Sequence, residues 1–212
     1  EINTGDSALI SWTAFDPGQV GSGIQSIEMN VSYDSLNSFS LLEIFEGNNS
    51  QYTFIASDSI ASEYVSFLFK TIDMVGNYSL DTTEFFQIND IISPELSITT
   101  PSEEISVLEN EILTIEWSQS DNISIFDHFF EYSSDGINFD TLLYTSDLGL
   151  DSSKDFSFQG PTTAAKIKLT ISDHAGNTAS DYTPAFNIID NTPPIVNFNA
   201  LLNDTTVYIA EQ

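Results

Sequence analysis

Apolar residues recur at every second position along much of this chain, separated by polar residues. Two segments show matching patterns: Ala8, Ile10 and Trp12 in the first, and Leu113, Ile115 and Trp117 in the second. Successive side chains of a β-strand point to opposite faces, so this period predicts half-buried strands with these residues facing a core. Turn-forming residues interrupt the pattern at short intervals, and no stretch combines helical spacing with helix caps. The pattern predicts an all-β chain of many short strands.

Later segments show the same alternation. Two of them match each other: Val65, Phe67 and Phe69 in the first, and Ala165, Ile167 and Leu169 in the second. Lys166 and Lys168 stand between the apolar residues and are predicted to point outward. Two final strands carry Phe86 with Ile88, and Phe186 with Ile188. Between strands, Asp135 and Gly136 predict a β-hairpin, because this dipeptide tolerates the positive φ angles of tight turns.

These matches belong to an internal repeat. The motif around Asp73, Gly76 and Asn77 recurs 100 residues later around Asp173, Gly176 and Asn177. Pro94 and Pro194 are also 100 residues apart, whereas Trp12 and Trp117 are 105 residues apart. A fixed period of this length indicates two copies of one structural unit. The five-residue difference predicts a longer loop in the first copy, part of it in the GQVGSG stretch at 18–23.

The repeated elements resemble the bacterial immunoglobulin-like or fibronectin-type-III-like repeats of large surface adhesins. The resemblance lies in the strand tryptophans, the hairpin from Tyr132 to Phe139, the DxxGN turn and the linker from Ile188 to Pro194. It implies two tandem immunoglobulin-like β-sandwiches in an elongated chain, located outside the cell or at the cell surface. The expected units are 1–90 and 91–190, followed by 191–212 as a linker and an edge strand of a following domain.

The two units are expected to differ in their first strand. The second has room before Trp117 for a strand from about Glu95 to Thr100, whereas the first has only 11 residues before Trp12. The segment after Pro194 resembles a first strand with no domain behind it. A sandwich that lacks an edge strand can accept one from elsewhere. The chain is therefore expected to be either a window on a long covalent array or a subunit that polymerises by donating its tail.

Charge narrows the choice of partners. The 212 residues include 32 acidic residues, four lysines and no arginine, for a net charge of -28. Nucleic acid and anionic membrane surfaces are excluded as partners, because both require clusters of cationic side chains. No apolar run reaches the length needed to insert into a membrane. With 41% hydrophobic residues, including 16 Phe and 8 Tyr, the chain can still build cores. The absence of cysteine removes disulfides and thiolate metal sites.

Acidic and amide residues fall in loops that a sandwich of this class gathers at one pole. Calcium is the cation that six to eight such oxygens would bind. The candidate ligands in the second unit are Asp90, Asp121, Asn122, Asp173 and Asn177, those in the first are Asp16, Asp73 and Asn77, and Asp190 with Asn191 lies at the far end. The alternative interpretation is that Asp, Gly and Asn occupy these turns for their backbone properties alone.

The sequence shows no recognisable set of catalytic residues. The only histidines are His128 and His174. His174 occupies a variable turn position where the first repeat has Met74, His128 has no recurrent Ser or Asp pattern around it, and both are expected to be solvent-facing. The sequence therefore predicts a structural, non-catalytic spacer whose partners are neighbouring repeats of the same chain or identical subunits. A carbohydrate- or cell-binding module is the alternative. Glycan attachment is also possible, at sequons that begin at Asn30, Asn48, Asn77, Asn122 and Asn203.

Overall fold

The structure is a computed structural model that describes residues 1–17, 21–47, 49–146 and 152–197. Within these ranges the regular secondary structure is entirely β. The strands of the first repeat are β1 (Ile2–Asn3), β2 (Ser7–Ser11), β3 (Ile24–Ser32), β4 (Ser40–Glu46), β5 (Gln51–Ile55), β6 (Ser62–Asp73), β7 (Tyr78–Thr82) and β8 (Phe86–Asn89). Those of the second are β9 (Glu95–Thr100), β10 (Ser106–Leu108), β11 (Ile112–Ser120), β12 (Ile125–Ser133), β13 (Asp140–Thr145), β14 (Ser153–Ser157), β15 (Thr162–Asp173), β16 (Thr178–Tyr182) and β17 (Phe186–Ile189).

Each repeat folds into two sheets. In the second repeat the larger sheet has the order β10-β17-β15-β12-β13, with β16 also paired to β15, and the smaller sheet has the order β14-β11-β9. In the first repeat the orders are β1-β8-β6-β3-β4, with β7 on β6, and β2-β5. The first and last strands of each larger sheet pair in parallel, and the other pairs are antiparallel. This strand order confirms the predicted fold class, two tandem immunoglobulin-like β-sandwiches.

Each sandwich has its own core. In the second repeat the predicted core residues are buried: Leu113, Ile115, Trp117, Ala165, Ile167 and Leu169. Lys168 lies on the outer face of β15 as predicted, with its Nζ 2.8 Å from a Glu131 carboxylate oxygen. In the first repeat Val65 and Phe67 are buried, whereas Ile10 and Trp12 are only partly buried against the core. The same alternation therefore yields a more open sandwich in the first repeat.

The predicted hairpin joins β12 to β13. Its turn is held by Asp135, whose Oδ1 accepts hydrogen bonds from the backbone N–H groups of Ile137 and Asn138, both at 2.8 Å. These bonds, with the Asn138 backbone first, lower the pKa of Asp135. Gly136 has a φ of 73°. A Cβ there would lie 3.1 Å from the backbone carbonyl oxygen of Ala164, so the turn requires glycine on two grounds.

We expect Gly136→Ala to lower the free energy of unfolding by about 1–2 kcal/mol through the left-handed backbone alone, and further through the contact with Ala164. Gly160→Ala is the matched control, because Gly160 has a φ of 85° with nothing near its would-be Cβ. Urea denaturation of both variants measures the difference. Equal losses would show that the Ala164 contact has no cost.

The prediction made from the sequence for His128 was wrong. It was expected to face solvent, but its side chain is 1% exposed. The ring packs against Trp117, and its Nε2 lies 2.7 Å from the Gln119 Oε1, which also accepts the Trp117 indole N–H at 2.8 Å. Strand β12 places His128 on its inward face. The Gln119 amide offsets part of the cost of burying a polar ring, whereas His128 Nδ1 has no hydrogen-bond partner among the described residues. His174 is exposed in its turn, as predicted.

Burial lowers the pKa of His128, and the charge of neighbouring Asp127 opposes this only in part. The unfolded chain therefore takes up the proton first, so stability should fall as the pH drops below about 6.5 and level off below the folded-state pKa. His128→Ile should remove this slope, because the first repeat has Ile27 at the matching position of β3. His174→Met, which copies Met74, should keep it. Melting temperatures between pH 7.5 and pH 5 in chelator distinguish the two variants.

The C-terminal segment contains no strand between residues 190 and 197. Ile195 and Val196 are 84% and 89% exposed. The rest of the edge strand expected over 191–212 lies outside the described residues. Among the described residues, the chain has no helix long and apolar enough to span a membrane.

Candidate metal centre

Three carboxylates meet where the two repeats join. Asp90 follows β8 in the linker, Asp121 follows β11, and Asp173 ends β15. Strands β11 and β15 belong to different sheets of the second sandwich but end at the same pole, next to the incoming linker. One carboxylate oxygen from each acid lies within 4.8 Å of those of the other two. The fold thus brings together residues up to 83 positions apart in the sequence.

The local turns fix two of these acids. Asp173 Oδ1 accepts the Asn177 backbone N–H at 2.8 Å, and its Oδ2 accepts the Asn177 side-chain amide at 2.7 Å. Asp121 Oδ2 accepts the backbone N–H groups of Ile123 and Ser124 at 3.0 and 2.8 Å. Both carboxylates are therefore rigidly placed, as a turn-forming role requires. A carboxylate oxygen has two lone pairs, so these bonds leave capacity for a cation.

Two asparagines tie the linker to the second repeat. Asn122 Nδ2 donates to Asp90 Oδ1 at 3.0 Å, and also to the backbone carbonyl of Asp58 in the first repeat. Asn177 Nδ2 donates to the Asp90 backbone carbonyl at 3.3 Å. These amides hold Asp90 in position but add no positive charge. All five predicted residues of this joint are thus in one place.

Among the described residues, no ion pair joins a lysine to the three acids of the cluster. Asp90 and Asp173 are 8% and 2% exposed. Ion pairs among the described residues involve Lys70 and Lys168, which bind Glu28 and Glu131 away from the joint. Two unit charges about 4 Å apart repel by about 1 kcal/mol in water and about 4 kcal/mol near a protein surface. Bringing three carboxylates this close therefore opposes folding unless a cation offsets the repulsion.

Two buried oxygens at the joint have no hydrogen-bond partner among the described residues, Asp121 Oδ1 and Asn122 Oδ1. A buried acceptor without a partner costs about 1–3 kcal/mol. The donor set therefore consists of carboxylate and amide oxygens, two of them lacking donors, which is the chemistry that Ca²⁺ prefers. The residues fit a hard divalent cation.

The first repeat has a partial version of this arrangement. Asp16, Asp73 and Asn77 line one depression of about 180 Å³. Asp73 accepts bonds from the Asn77 backbone and side chain, and the side-chain bond contributes most to its lowered pKa. Asp16 Oδ2 accepts the Gly23 backbone N–H at 2.8 Å. Among the described residues no third acid completes a cluster here.

Asp190 lies at the far end, apart from the other candidates. Its Oδ1 accepts the Thr192 backbone N–H at 2.7 Å, and this bond is the main cause of its lowered pKa. The same turn occurs at Asp90, where Oδ1 accepts the Ile92 N–H at 3.1 Å. Asp190 thus makes the same turn as Asp90, and among the described residues it belongs to no cluster of three acids.

The sequence did not predict that the first repeat contributes a hydrogen-bond acceptor to the joint, the backbone carbonyl of Asp58. The Asp58 carbonyl is a backbone group, and no residue-type signal marks it. Next to the cluster lies a cleft of about 540 Å³ between the repeats, lined on one side by Ser62, Glu63 and Asn89 and on the other by Ile123, Ser124 and His174. His174 Nδ1 lies 3.2 Å from the Ser124 hydroxyl. Only the relative placement of the repeats reveals this cleft.

Comparisons with known proteins give a likeness in fold. No family model and no curated protein matches the chain. Among solved structures, the fibronectin(III)-like modules of Clostridium thermocellum CbhA share 13% identity, with 94% of each chain covered and a TM-score of 0.41. DIP-gamma IG1+IG2 shares 10%, with 88% of this chain and 92% of that chain covered and a TM-score of 0.39. The chicken CNTN1 FN1-FN3 domains share 12%, with 88% and 64% covered and a TM-score of 0.39.

The strand order of the two sandwiches defines the fold independently of these distant likenesses. The protein is a tandem pair of immunoglobulin-like or fibronectin-III-like modules with an acidic cluster at the joint between them.

Substitutions at Asn177 and Asn77 distinguish the role of the asparagine in its own turn from its role in holding the joint between the repeats. Each holds its own Asp, but Asn177 alone also holds the linker carbonyl of Asp90. Each alanine substitution should cost about 1 kcal/mol through the turn. Only Asn177→Ala should also change the orientation of the repeats, measured by residual dipolar couplings. A similar change in Asn77→Ala would contradict this view of the joint.

Proposed function

We propose that the chain is a non-catalytic spacer of an extracellular adhesin or surface filament, joined head to tail with neighbouring repeats and stiffened at its joints by Ca²⁺. The observation that carries this proposal is the convergence of Asp90, Asp121 and Asp173, with oxygens within 4.8 Å, at the junction of two sandwiches. Tandem sandwiches provide length, and the joint determines whether that length is rigid.

Calcium is favoured over other cations by the ligand chemistry. The joint has neither cysteine nor histidine among its candidate ligands, which disfavours zinc and copper. Mg²⁺ needs near-ideal octahedral geometry and usually keeps several waters, whereas Ca²⁺ accepts irregular sets of carboxylates, amides and carbonyls. Three acids around one divalent ion would also remove the repulsion described above.

Stiffening follows from where the ligands lie. Asp90 belongs to the linker and the other acids belong to loops of the second sandwich, so a shared ion restrains the linker against that sandwich. Asn122 extends the restraint to the first repeat through its bond to the Asp58 carbonyl. An interface between two modules of one chain is otherwise expected to permit relative motion. A bound ion therefore converts a hinge into a fixed joint.

The net charge of -28 supports an exposed, soluble setting rich in divalent cations. A high surface charge keeps neighbouring spacers from associating laterally, which suits a fibre whose contacts are end to end. The absence of cysteine is compatible with an extracellular protein whose cores are this large.

The test is calcium titration by calorimetry on the whole chain. We expect binding at the joint and an increase in melting temperature that chelator reverses, because the ion binds the folded state only. Asp121→Asn should weaken binding at least about tenfold, which corresponds to about 1.4 kcal/mol. Asp140→Asn, the same charge change at an exposed position of β13, should leave it unchanged.

Small-angle scattering and residual dipolar couplings, with calcium and with chelator, measure stiffness separately. Fewer relative orientations of the repeats are expected in calcium. If Asp121→Asn and Asp140→Asn weaken calcium binding equally, the joint is not the calcium site. Binding without any change in orientation would keep the site but overturn the stiffening role.

A further inference from the structure

The outer face of the larger sheet differs between the two repeats. In the second repeat its outward positions carry aromatic rings, Phe129 on β12, Tyr144 on β13 and Tyr182 on β16. The positions with the same strand pairing in the first repeat carry no ring: Glu28, Ile44 and Thr82. Tyr144 and Tyr182 are 62% and 49% exposed. The second repeat thus presents aromatic surface to solvent that the same fold does without in the first.

The rings form two pairs on opposite sides of this face. Phe129 and Tyr144 meet edge to face with their centroids 6.2 Å apart, and Phe139 and Tyr182 do so at 5.7 Å. Strands β13, β12, β15 and β16 lie side by side between them. Neighbouring strands are about 4.8 Å apart, so the two pairs lie about 14 Å apart across the sheet. We call the surface defined by these four residues the aromatic face.

Polar groups occupy the centre of the aromatic face. Lys168 Nζ lies 2.8 Å from a Glu131 carboxylate oxygen, and the hydroxyl oxygens of Thr170 and Ser180 lie 2.7 Å apart. Each of these groups can make further hydrogen bonds. Interfaces between proteins have the opposite arrangement, an apolar centre depleted in charge within a polar rim. The aromatic face is therefore unsuited to a protein partner.

A buried carboxylate holds one of the exposed rings. Asp127 is 9% exposed, and its Oδ2 accepts a hydrogen bond from the Tyr144 hydroxyl. Its Oδ1 is buried without a hydrogen-bond partner among the described residues, which is unfavourable for folding. The first repeat has Ser26 at the matching position. The fold thus does not require an acid here, whereas a ring fixed in advance favours the binding of a ligand.

We propose that the aromatic face binds a neutral oligosaccharide. A sugar ring has polarised C–H groups on its two faces and hydroxyl groups around its edge. The electron-rich face of an aromatic side chain attracts the C–H groups. The ion pair and the two hydroxyls at the centre can donate to and accept from the sugar hydroxyls. The span of about 14 Å exceeds one sugar ring, so the ligand is a chain of several sugars lying across the strands.

The charge of the molecule selects a neutral ligand over an acidic one. The chain has a net charge of -28, and both Asp127 and Glu131 belong to this face. An acidic polysaccharide would be repelled by both the local and the overall charge. The acids of the joint, Asp90, Asp121 and Asp173, take no part in the aromatic face. Binding here is therefore independent of the calcium role proposed above.

The test is an NMR titration of the whole labelled chain with cellohexaose, xylohexaose, laminarihexaose and mannohexaose, from micromolar to millimolar concentration. At least one of them should shift the ring resonances of Tyr144 and Tyr182, equally in calcium and in chelator. Tyr144→Ile and Tyr182→Thr copy the first repeat, and each should weaken binding at least about tenfold. Because Tyr144→Ile also removes the partner of Asp127, Tyr182→Thr tests the face without that cost.

Tyr78→Thr is the matched control. It removes a tyrosine that is 66% exposed on the same face of the first repeat, and it copies Thr178 of the second. This variant should bind like the unmodified chain. Melting temperatures of all three variants show that each is folded.

Four results would overturn the proposal. None of the four oligosaccharides shifts the two tyrosines at millimolar concentration. Tyr78→Thr weakens binding as much as Tyr182→Thr does, which would place the ligand elsewhere. The two tyrosines shift with protein concentration in the absence of sugar, which would assign the face to a second copy of the chain. Binding that is lost in chelator would assign the sugar to the joint.

Discussion

Backbone pairing between strands that are distant in the sequence is the interaction on which this molecule depends. A strand keeps its extended form, and its inward side chains stay buried, only where neighbouring backbones satisfy its N–H and C=O groups. Strand β11, paired with β14 and β9, runs from Ile112 to Ser120 and buries Trp117. Among the described residues strand β2 pairs only with β5; it ends at Ser11, and Trp12 is partly buried. One edge strand accounts for the main difference between the two repeats.

The same pairing determines where charge accumulates. Strands β11 and β15 end at one pole, and the linker enters there, so the acids that follow them are forced together. The carboxylates fix their own turns in both repeats, which shows that the turn-forming and metal-binding interpretations are not exclusive. What distinguishes Asp173 from Asp73 is not its own turn but the presence of two further acids beside it. The chemistry of the site is therefore a property of the junction and not of the motif.

The two repeats also show how one fold tolerates different interiors. The second repeat buries His128 and Trp117, and the partly buried Gln119 links them through its side-chain oxygen, while His128 Nδ1 has no hydrogen-bond partner among the described residues. The first repeat places Ile27 and Ala14 at the positions that match the histidine and the glutamine, and its buried Trp12 indole nitrogen has no hydrogen-bond partner in the part of the chain that the structure describes. Polar groups can thus replace apolar ones inside such a sandwich when most of their hydrogen-bonding atoms find partners. No alternation pattern encodes that exchange.

The sequence by itself determined the all-β class, the tandem organisation, the core faces of the second repeat and the hairpin at Asp135, because these follow from local period and turn chemistry. It also named the five polar residues of the joint, since the resemblance to known repeats implied which loops share a pole. Only the tertiary structure decided that His128 is buried, that Asp58 contributes to the joint, that three carboxylates lie within 4.8 Å, and that Trp12 borders an open groove. These features depend on distances between segments far apart in the chain, and such distances are set by strand pairing and module placement, which residue order alone does not specify.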